Sequence, residues 1–485
     1  MTAESAPPAP VPARSSPLLW LVAAGFFMQT LDTTIVNTAL PEMARSLGES
    51  PLRMQSVVVA YSLAMAMLIP ASGWIADRFG TRRVFFGAIL VFALGSLCCA
   101  ASRNLAELVA ARVLQGMGGA LLMPVGRLAV LRGVPRSQFL QALSFVTIPG
   151  LIGPLLGPTL GGWMVQYASW HWIFLINLPV AVVGCIATLV YMPDGRASRP
   201  GRFDLVGYLW LAVGMVAVSL ALDGMAGAGL PQVTLALLSI LGLGCLAAYW
   251  LHALRRPEPL FSPALFSVQS LRVGLLGNLF ARIGSSCMPY LIPLLLQIGL
   301  GYTPLHAGMM LLPAALAGMG MKPIAARLIS RLGYRRVLLG NTVAVGLAMM
   351  SFALVGPEQP LRIRVLQFAV FGAVNSMQFT AMNTVTLKDM AGPLASSGNS
   401  LLSMVQMLAM GMGVACAAAV LAGYNGYFAA SASGAVDTLS AFHATFATMG
   451  LVTMVSALIF WQLEPDTVAT TQEVQAVDAD TADHA

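Results

Sequence analysis

Charged side chains are scarce in this sequence, because Asp, Glu, Lys and Arg together make up only 9% of its 485 residues. A soluble domain carries roughly 25% of these residues, so an ordinary water-soluble fold is excluded. Lysine occurs only as Lys322 and Lys388, and neither follows a glycine. A Walker A phosphate loop requires a Gly-Lys pair, so we do not expect this chain to hydrolyse ATP.

Cysteine is also scarce, and the six cysteines lie inside apolar stretches without the spacing of a disulfide framework or a zinc site. No polar segment is long enough to form a separate catalytic domain. We therefore expect no metal, no cofactor and no enzymatic activity. The cysteines, which we assign to packing, are Cys98, Cys99, Cys185, Cys245, Cys287 and Cys416.

Hydrophobic residues make up 58% of the chain, in about fourteen runs that each approach the roughly 20 residues needed to span a bilayer. Basic residues are scattered through the polar gaps, which excludes a nucleic-acid-binding surface. They concentrate in alternate gaps, and only Arg45, Arg53 and Arg103 fall in the others. This bias predicts a multi-pass membrane protein with both termini in the cytoplasm.

An internal repeat divides the chain. Residues 78–87 (RFGTRRVFFG) recur as 331–340 (RLGYRRVLLG), with six of ten positions identical. Parallel repeats of this kind build transporters from two similar bundles. The predicted ranges are 1–17 for a disordered N-terminal tail, 18–200 for a six-helix bundle, 201–262 for an inserted two-helix linker, 263–463 for a second six-helix bundle and 464–485 for an acidic tail.

The first predicted span places two polar side chains, Asp32 and Asn37, in a largely apolar helix. A carboxylate inside a membrane is unfavourable unless it faces a cavity or a partner. We interpret Asp32 as a proton carrier. The alternative is a structural Asp that pairs with an Arg or caps a bent helix.

A charge-rich turn is predicted at 73–83, between spans two and three. Its glycines allow a tight turn and its acid can pair with basic groups, so it can hold one conformation of a rocking transporter. The alternative is a simple positive-inside anchor. In the second repeat Ser330 replaces the acid, so such a gate would be asymmetric. The candidate gate residues are Gly73, Asp77, Arg78, Gly80 and Arg82.

The fourth predicted span begins with the segment 108–120, which carries Arg112 about one turn inside. Gln115, Gly116 and Gly119 follow it at i+3, i+4 and i+7, on the same helix face. This spacing favours an Arg that faces the bundle beside closely packed backbone. The alternative is an Arg that extends to the outer surface.

The fifth predicted span carries two prolines and four glycines within the ten residues 153–162. Prolines remove backbone hydrogen bonds and glycines allow close helix contact, so we predict a bend at a functional interface. The alternative is a passive kink. The candidate residues of this bend are Gly153, Gly157, Pro158, Gly161 and Gly162.

These four segments, in this order, resemble the motifs of the major facilitator superfamily, and specifically of its fourteen-span drug:proton antiporters. The turn resembles the superfamily's gate motif, with Thr81 where a basic residue is usual, and the segment around Arg112 resembles its proton-relay motif. The segment at 153–162 resembles the motif associated with antiporters, and 170–179 resembles the start of span six. Residues 379–388 and 397–406 are similar to the MdtD-type exporters of this family.

The resemblance implies an all-α polytopic fold of two six-helix bundles and an inserted pair, about fourteen transmembrane helices in all, in a bacterial inner membrane. It also implies multidrug-type export of small amphipathic molecules in exchange for protons by alternating access, with Asp32 and Arg112 in proton coupling. Alternatives are a proton-coupled symporter, an exporter of a specific organic anion or metal chelate, and a non-transporting membrane receptor or assembly subunit. The expected partners are a small-molecule substrate, protons and the lipid bilayer, and the sequence leaves open a periplasmic adaptor and an outer-membrane duct.

Polar side chains in spans of both halves of the chain supply a candidate substrate cavity. Any one of them is more often a helix-to-helix hydrogen bond than a ligand contact. Arg282 differs because it lies near the middle of its span, where it could neutralise an acid such as Asp32 or attract anionic substrates. The tentative cavity residues are Asn37, Gln115, Arg282, Gln297, Asn375, Gln378, Asn383 and Gln406.

Overall fold

A computed structural model describes residues 16–135, 138–196, 202–225, 231–390, 393–431 and 438–463. The predicted tails lie outside these ranges, apart from residues 16 and 17. The described residues are almost entirely helical. The α-helices are α1 (Ser16–Leu47), α2 (Gln55–Phe79), α3 (Thr81–Ala101), α4 (Leu105–Gly133), α5 (Phe139–Tyr167), α6 (Trp172–Leu175), α7 (Asn177–Tyr191), α8 (Leu205–Met225), α9 (Gln232–Arg255), α10 (Gln269–Ser285), α11 (Met288–Leu294), α12 (Pro304–Met309), α13 (Leu312–Ser351), α14 (Leu361–Leu387), α15 (Pro393–Ser431), α16 (Thr438–Val455) and α17 (Ala457–Phe460).

Thirteen helical segments of the described chain are long and apolar enough to cross a membrane. One of them, Pro304–Leu354, has 51 residues and at 1.5 Å per residue extends about 76 Å, more than twice a hydrocarbon core of about 30 Å. The backbone turns inside it at Gly333, which has a φ of 77°. This segment therefore supplies two spans, and the predicted all-α fold with about fourteen spans is confirmed.

The two copies of the repeat share one backbone feature. Gly80 has a φ of 91° and Gly333 a φ of 77°, a left-handed region that is open to glycine and strained for other residues. The turn predicted at 73–83 is therefore much shorter than expected. The α2 helix continues to Phe79 and α3 begins at Thr81, because a single glycine is enough to reverse the chain.

Most of the chain groups into a first compact unit. In it α1 packs against α5, α4 packs against both α2 and α3, and α8 packs against α9. One apolar cluster in this unit includes Phe26, Tyr61, Phe85 and Phe92, all nearly inaccessible. This unit comprises Met1–Pro263, Ser286–Leu312 and Ser403–Phe442.

The second unit has a core of its own, in which α10 packs against α14 and α17. Its apolar cluster includes Leu338, Ala381 and Phe460, which are fully buried. These two units are defined by contacts between residues, whereas the predicted bundles were defined by position along the sequence. The predicted boundaries of the two bundles therefore stay a prediction. The second unit comprises Ala264–Ser285, Pro313–Leu402 and His443–Ala485.

Asp204 holds one end of the α8–α9 pair together. Its carboxylate accepts hydrogen bonds from the backbone N–H of Gly207 and of Leu260, and lies 2.9 Å from Nε2 of His252. Burial would raise the pKa of Asp204, but these hydrogen bonds outweigh burial and lower it below the ordinary value of an aspartate. Asp204 is thus an ionised cap for the first turn of α8.

Gly95 sets the separation of α3 and α4. A Cβ added to Gly95 would lie 2.5 Å from the backbone N and Cα of Gln115 on α4. Gly87, two turns earlier in α3, has no heavy atom within 4 Å of the corresponding position. The two glycines of one helix therefore differ in whether a methyl group can be accommodated.

We predict that Gly95→Ala will lower the thermal stability of the purified protein, because overpacking costs about 1–3 kcal/mol and displaces Gln115. Gly87→Ala is the matched control and should leave the melting temperature unchanged or slightly higher, since alanine favours helix. Equal melting temperatures for the two variants in detergent would contradict the close approach of α3 and α4.

Candidate functional site

Asp32 and Arg112 form an ion pair in the interior of the first unit. Arg112 Nη1 on α4 lies 2.7 Å from Asp32 Oδ2 on α1, and the side chains are 1% and 0% exposed. Arg112 therefore does not extend to a surface. A buried ion pair offsets its desolvation only when the remaining polar atoms are also hydrogen-bonded.

Three more side chains meet that requirement. Asp32 Oδ1 accepts hydrogen bonds from Nε2 of Gln115 at 2.8 Å and from Nδ2 of Asn177 at 3.2 Å. Gln115 Oε1 accepts from Arg112 Nη1 at 2.6 Å, and both amides donate to Ser96 Oγ. We call Asp32, Ser96, Arg112, Gln115 and Asn177 the buried polar cluster.

The rest of the Arg112 guanidinium is also held. Its Nε donates to the carbonyl of Val57 at 3.2 Å, and its planar face lies 4.1 Å from the ring centroid of Tyr61 and 5.9 Å from that of Phe174. Only arginine offers several donors in one plane together with a face that stacks on aromatic rings. The cluster therefore requires arginine at this position.

Glycines bring α4 close enough to its neighbours for these contacts. A Cβ on Gly116 would lie 2.7 Å from the carbonyl oxygen of Tyr61 on α2, and one on Gly118 would lie 2.7 Å from that of Ala88 on α3. Small residues of this kind allow helix backbones to approach in membranes. The run that carries Arg112 thus also builds the close helix packing around it.

The cluster has a chemical consequence. Within the described residues, Arg112 is the only cation paired with Asp32. Removing one partner of a buried pair leaves an uncompensated charge and costs about 3–5 kcal/mol. If Arg112 moves away, the carboxylate must acquire another positive charge, and a proton is the smallest one available.

A second ion pair lies at the end of α2. Asp77 Oδ1 is 2.5 Å from Nη2 of Arg132 at the end of α4, and Arg132 Nη1 donates to the carbonyl of Gly195 at 2.9 Å. Both side chains are partly exposed, at 38% and 26%. Such a pair contributes less than about 1 kcal/mol to stability. Its main effect is therefore to fix the end of α2 against the end of α4.

The segment 192–196, after α7, docks on the same turn. Arg82 Nε donates to the carbonyl of Met192 at 2.6 Å, and Thr81 Oγ1 donates to that of Pro193 at 2.8 Å. The backbone N–H of Gly195 donates to Thr81 Oγ1 at 3.2 Å. Thr81 and Arg82 therefore both join this segment to the turn. Among the other candidate gate residues, Gly73 and Arg78 are exposed and Gly80 makes the turn.

The glycines of α5 mark two helix crossings. Added Cβ atoms on Gly153 and Gly161 would lie 2.7 Å and 2.6 Å from backbone atoms of Leu31 and Ile35 on α1, and Gly157 faces the same helix. On the other side, Gly162 and Pro158 lie against α12 at Pro304 and Gly308. Both crossings belong to the first unit. At each of them the backbone of α5 contacts a neighbouring helix directly, because the residues there are small or lack a side chain.

The tentative cavity residues of the first unit have different surroundings. Gln115 belongs to the buried polar cluster, whereas Gln297 Nε2 donates to the carbonyl of Thr38 at 2.9 Å. Asn37 is 5% exposed, with its Oδ1 lacking a hydrogen-bond partner among the described residues. Gln406 is half-buried on α15.

In the second unit, Gln378 is 2% exposed and bonds to both Asn341 and Thr342, a link between α14 and α13. Arg282 lies 4.5 Å from the ring centroid of Phe379 and 3.5 Å from Oδ1 of Asn278. No acid is paired with Arg282 in the part of the chain that the structure describes, and its Nε lacks a partner. Asn375 and Asn383 on α14 are half-buried.

Four polar residues in the first unit were not among the candidates selected from the sequence, namely Ser96, Asn177, Arg127 and Asp223. Ser96 and Asn177 are single polar residues in apolar spans, a signal too common to select them. Arg127 on α4 is half-buried, stacks 5.8 Å from the ring of Phe26 and has an unpartnered Nε. Asp223 lies in the last turn of α8, which continues to Met225.

Comparison with known proteins identifies the family. Residues 22–414 match the family model of the Major Facilitator Superfamily. Two relatives are each named "Putative multidrug resistance protein MdtD". The one from Pectobacterium atrosepticum is 50% identical over 450 residues, 93% of this chain and 96% of the relative. The one from Citrobacter koseri is 52% identical over 454 residues, 93% and 95% of the two chains.

Solved structures with low sequence identity share the fold. The human organic anion transporter MFSD10 aligns with a TM-score of 0.60 at 16% identity, over 93% of this chain and all of that one. A D-xylose-proton symporter aligns with a TM-score of 0.65 at 14% identity, over 94% of this chain and all of that one.

Motifs, fold and family model agree over most of the chain. The predicted resemblance to MdtD-type proteins is confirmed by identities near one half. The chain belongs to the Major Facilitator Superfamily of membrane transporters.

Proposed function

We propose that this protein is a proton-coupled antiporter that exports small amphipathic molecules across the bacterial inner membrane, with both termini in the cytoplasm. The names of its bacterial relatives support multidrug-type export. The single observation that carries proton coupling is the fully buried pair of Asp32 and Arg112.

The proposed coupling follows from charge compensation. Asp32 is neutralised either by Arg112 or by a proton, because a bare carboxylate in this environment is strongly unfavourable. When the first bundle changes conformation and separates the pair, Asp32 takes up a proton. When the pair forms again, Arg112 displaces it. The proton thus enters and leaves in step with alternating access.

The driving force is sufficient for concentrative export. One proton that enters across a potential of about 100 mV contributes about 2.3 kcal/mol, and each pH unit adds about 1.4 kcal/mol. Together these sustain a substrate gradient of several hundred-fold. An imposed pH gradient in proteoliposomes separates antiport from symport, since antiport moves substrate against the direction of proton flow and symport moves it in the same direction.

Asp32→Asn should abolish uphill, proton-driven efflux in proteoliposomes. The asparagine keeps the size of the side chain and can still hydrogen-bond, but it cannot ionise. Downhill exchange of substrate should persist, because movement down a concentration gradient does not require a proton to load and leave. The matched control is Asp389→Asn, an exposed carboxylate after α14, which should transport like the wild type. Undiminished uphill transport by Asp32→Asn would exclude Asp32 as the obligatory proton carrier.

The Asp77–Arg132 pair is proposed to hold the gate in one conformation. Because the pair is partly exposed, Asp77→Asn should leave the free energy of unfolding within about 1 kcal/mol of the wild type while lowering transport several-fold. Arg132→Gln should act in the same way, and the double variant should be no worse than either single one.

Asp389→Asn is again the matched control, since Asp389 is an exposed carboxylate after α14 and lies outside the docked segment 192–196. Initial rates of substrate efflux, normalised to protein in the membrane, give the comparison. Additive losses from Asp77→Asn and Arg132→Gln would show that the pair does not act as a unit.

A second candidate function is export of an organic anion. Arg282 favours it, because an intramembrane guanidinium without an acidic partner in the described residues can attract a negative charge. The half-buried Arg127 of the first unit has the same character.

Arg282→Ala should therefore change the ratio of anionic to cationic dye efflux at least about threefold while protein levels persist. Arg364 provides the contrast, because it is 3% exposed and its Nη2 donates to the carbonyl of Gly356. Arg364→Ala should reduce folded protein without altering the ratio. An unchanged ratio with lost expression in Arg282→Ala would assign Arg282 a structural role.

A further inference from the structure

The α13 helix carries five basic residues and no acid along its 40 residues. Four of them, all arginines, flank the turn at Gly333 in the second copy of the repeat. Arg327, Arg331 and Arg336 are exposed and Arg335 is half-buried. None of these arginines forms an ion pair within the part of the chain that the structure describes. The turn therefore presents an uncompensated positive charge.

The first copy of the repeat supplies its own negative charge. There Asp77 pairs with Arg132 and joins the end of α2 to the end of α4. In the second copy Ser330 occupies the position of Asp77, and its hydroxyl donates to the carbonyl of Arg327 at 2.9 Å. A serine hydroxyl carries no charge, so the second turn lacks the carboxylate that the first turn contains.

Arg335 corresponds to Arg82 of the first copy but has different surroundings. Arg82 Nε donates to the carbonyl of Met192, whereas the guanidinium of Arg335 lies 5.4 Å from the ring centroid of Trp461. An aromatic ring covers one face of a guanidinium and leaves the N–H groups at its edge available. The contact with Trp461 thus orients Arg335 without engaging its hydrogen-bond donors.

Trp461 also ends an exposed apolar surface. Leu458 and Val455 precede it by three and six residues, and all three side chains are exposed. The backbone between them is nearly helical, so they lie along one face. Exposed apolar side chains of a membrane protein face lipid, and tryptophan marks the level of the headgroups. Arg335 therefore lies where a lipid headgroup meets its acyl chains.

Lys388, at the end of α14, extends the positive surface. Its Nζ lies 5.3 Å from the ring centroid of Tyr334, which directly follows the turn. Asp389 is exposed beside it and offsets a single charge. The ends of α13 and α14 are thus both cationic, whereas a carboxylate joins the corresponding ends of α2 and α4. We call Arg327, Arg331, Arg335, Arg336 and Lys388 the second-turn surface.

We propose that the second-turn surface binds the headgroup phosphate of an anionic phospholipid, whose acyl chains lie along Val455 and Leu458. Clusters of about four or more basic residues next to membrane helices attract anionic headgroups. Arginine suits a phosphate because its planar N–H groups match two phosphate oxygens. The bound phosphate places a negative charge between the ends of α13 and α14, as Asp77 does between α2 and α4. This inference is independent of the direction and coupling of transport.

Two other sources of negative charge are compared with the lipid. Inorganic phosphate offers the same oxygens as a headgroup, and residues 464–485 contain six acids and no Lys or Arg. The lipid is favoured because neither a free phosphate nor an acidic segment uses the exposed apolar face beside Arg335.

The test is native mass spectrometry of the full-length protein in a neutral detergent with equimolar phosphatidylglycerol and phosphatidylcholine of identical acyl chains. The two lipids differ in net headgroup charge, so the wild type should retain phosphatidylglycerol over phosphatidylcholine by at least about tenfold. Equal retention of the two lipids would overturn the proposal. Displacement of phosphatidylglycerol by inorganic phosphate at the same concentration would assign the surface to a free anion instead.

Arg331→Gln and Arg335→Gln should each lower the ratio of retained phosphatidylglycerol to phosphatidylcholine about fivefold, because each removes one cation. Ser330→Asp keeps every arginine but restores the acid of the first copy, so it should lower this ratio as much while leaving the melting temperature unchanged. Arg255→Gln removes an exposed cation at the end of α9 and should retain the wild-type ratio. An unchanged ratio in both Ser330→Asp and Arg331→Gln would refute the site.

A full-length variant with the six acids of 464–485 changed to their amides tests the acidic segment. The lipid ratio of this variant should equal that of the wild type. A severalfold higher ratio, abolished again by Arg331→Gln, would show that the acidic segment occupies the second-turn surface in place of a lipid.

Discussion

The structure of the first unit depends on the need to neutralise one carboxylate that water cannot reach. Asp32 is 1% exposed, and its two oxygens receive hydrogen bonds from two other helices, while a third helix contributes to the same network. Arg112 and Gln115 come from α4, and Asn177 comes from α7, with Ser96 of α3 between the two amides. While Asp32 is ionised, the helices that share it are held in one arrangement, because any other leaves a charge or an amide unpaired.

Close contact between helices allows the polar side chains around Asp32 to reach one another. Lipid is as apolar as the interior of the bundle, so helices associate through small residues that allow backbones to approach. Gly95 brings α3 to Gln115, and Gly116 brings α4 to Tyr61. Along α5, Gly153 and Gly161 do the same toward α1. The polar cluster and the glycine crossings are thus two parts of one packing solution.

Charge outside the membrane interior has a different use. The Asp77–Arg132 pair is partly exposed and contributes little to stability, yet it joins α2 to α4 and, through Gly195, to the segment after α7. Asp204 ties α8 to the chain beyond α9 in the same way. These contacts link the ends of helices that are already stable. They can therefore hold the helix ends in one arrangement while contributing little to the free energy of folding.

The sequence by itself determined the class of protein, the number of spans, the internal repeat and the motif residues, because hydropathy, charge and glycine are local properties of a chain. It also selected Asp32 and Arg112 separately, since a charge inside an apolar run stands out. Only the tertiary structure decided that they pair, that Thr81 joins a distant segment, and that Arg335 lies over the ring of Trp461. In a membrane the lipid-facing and buried faces of a helix are both apolar, so the sequence pattern does not fix helix rotation. Long-range side-chain partners follow from that rotation and are therefore settled by packing.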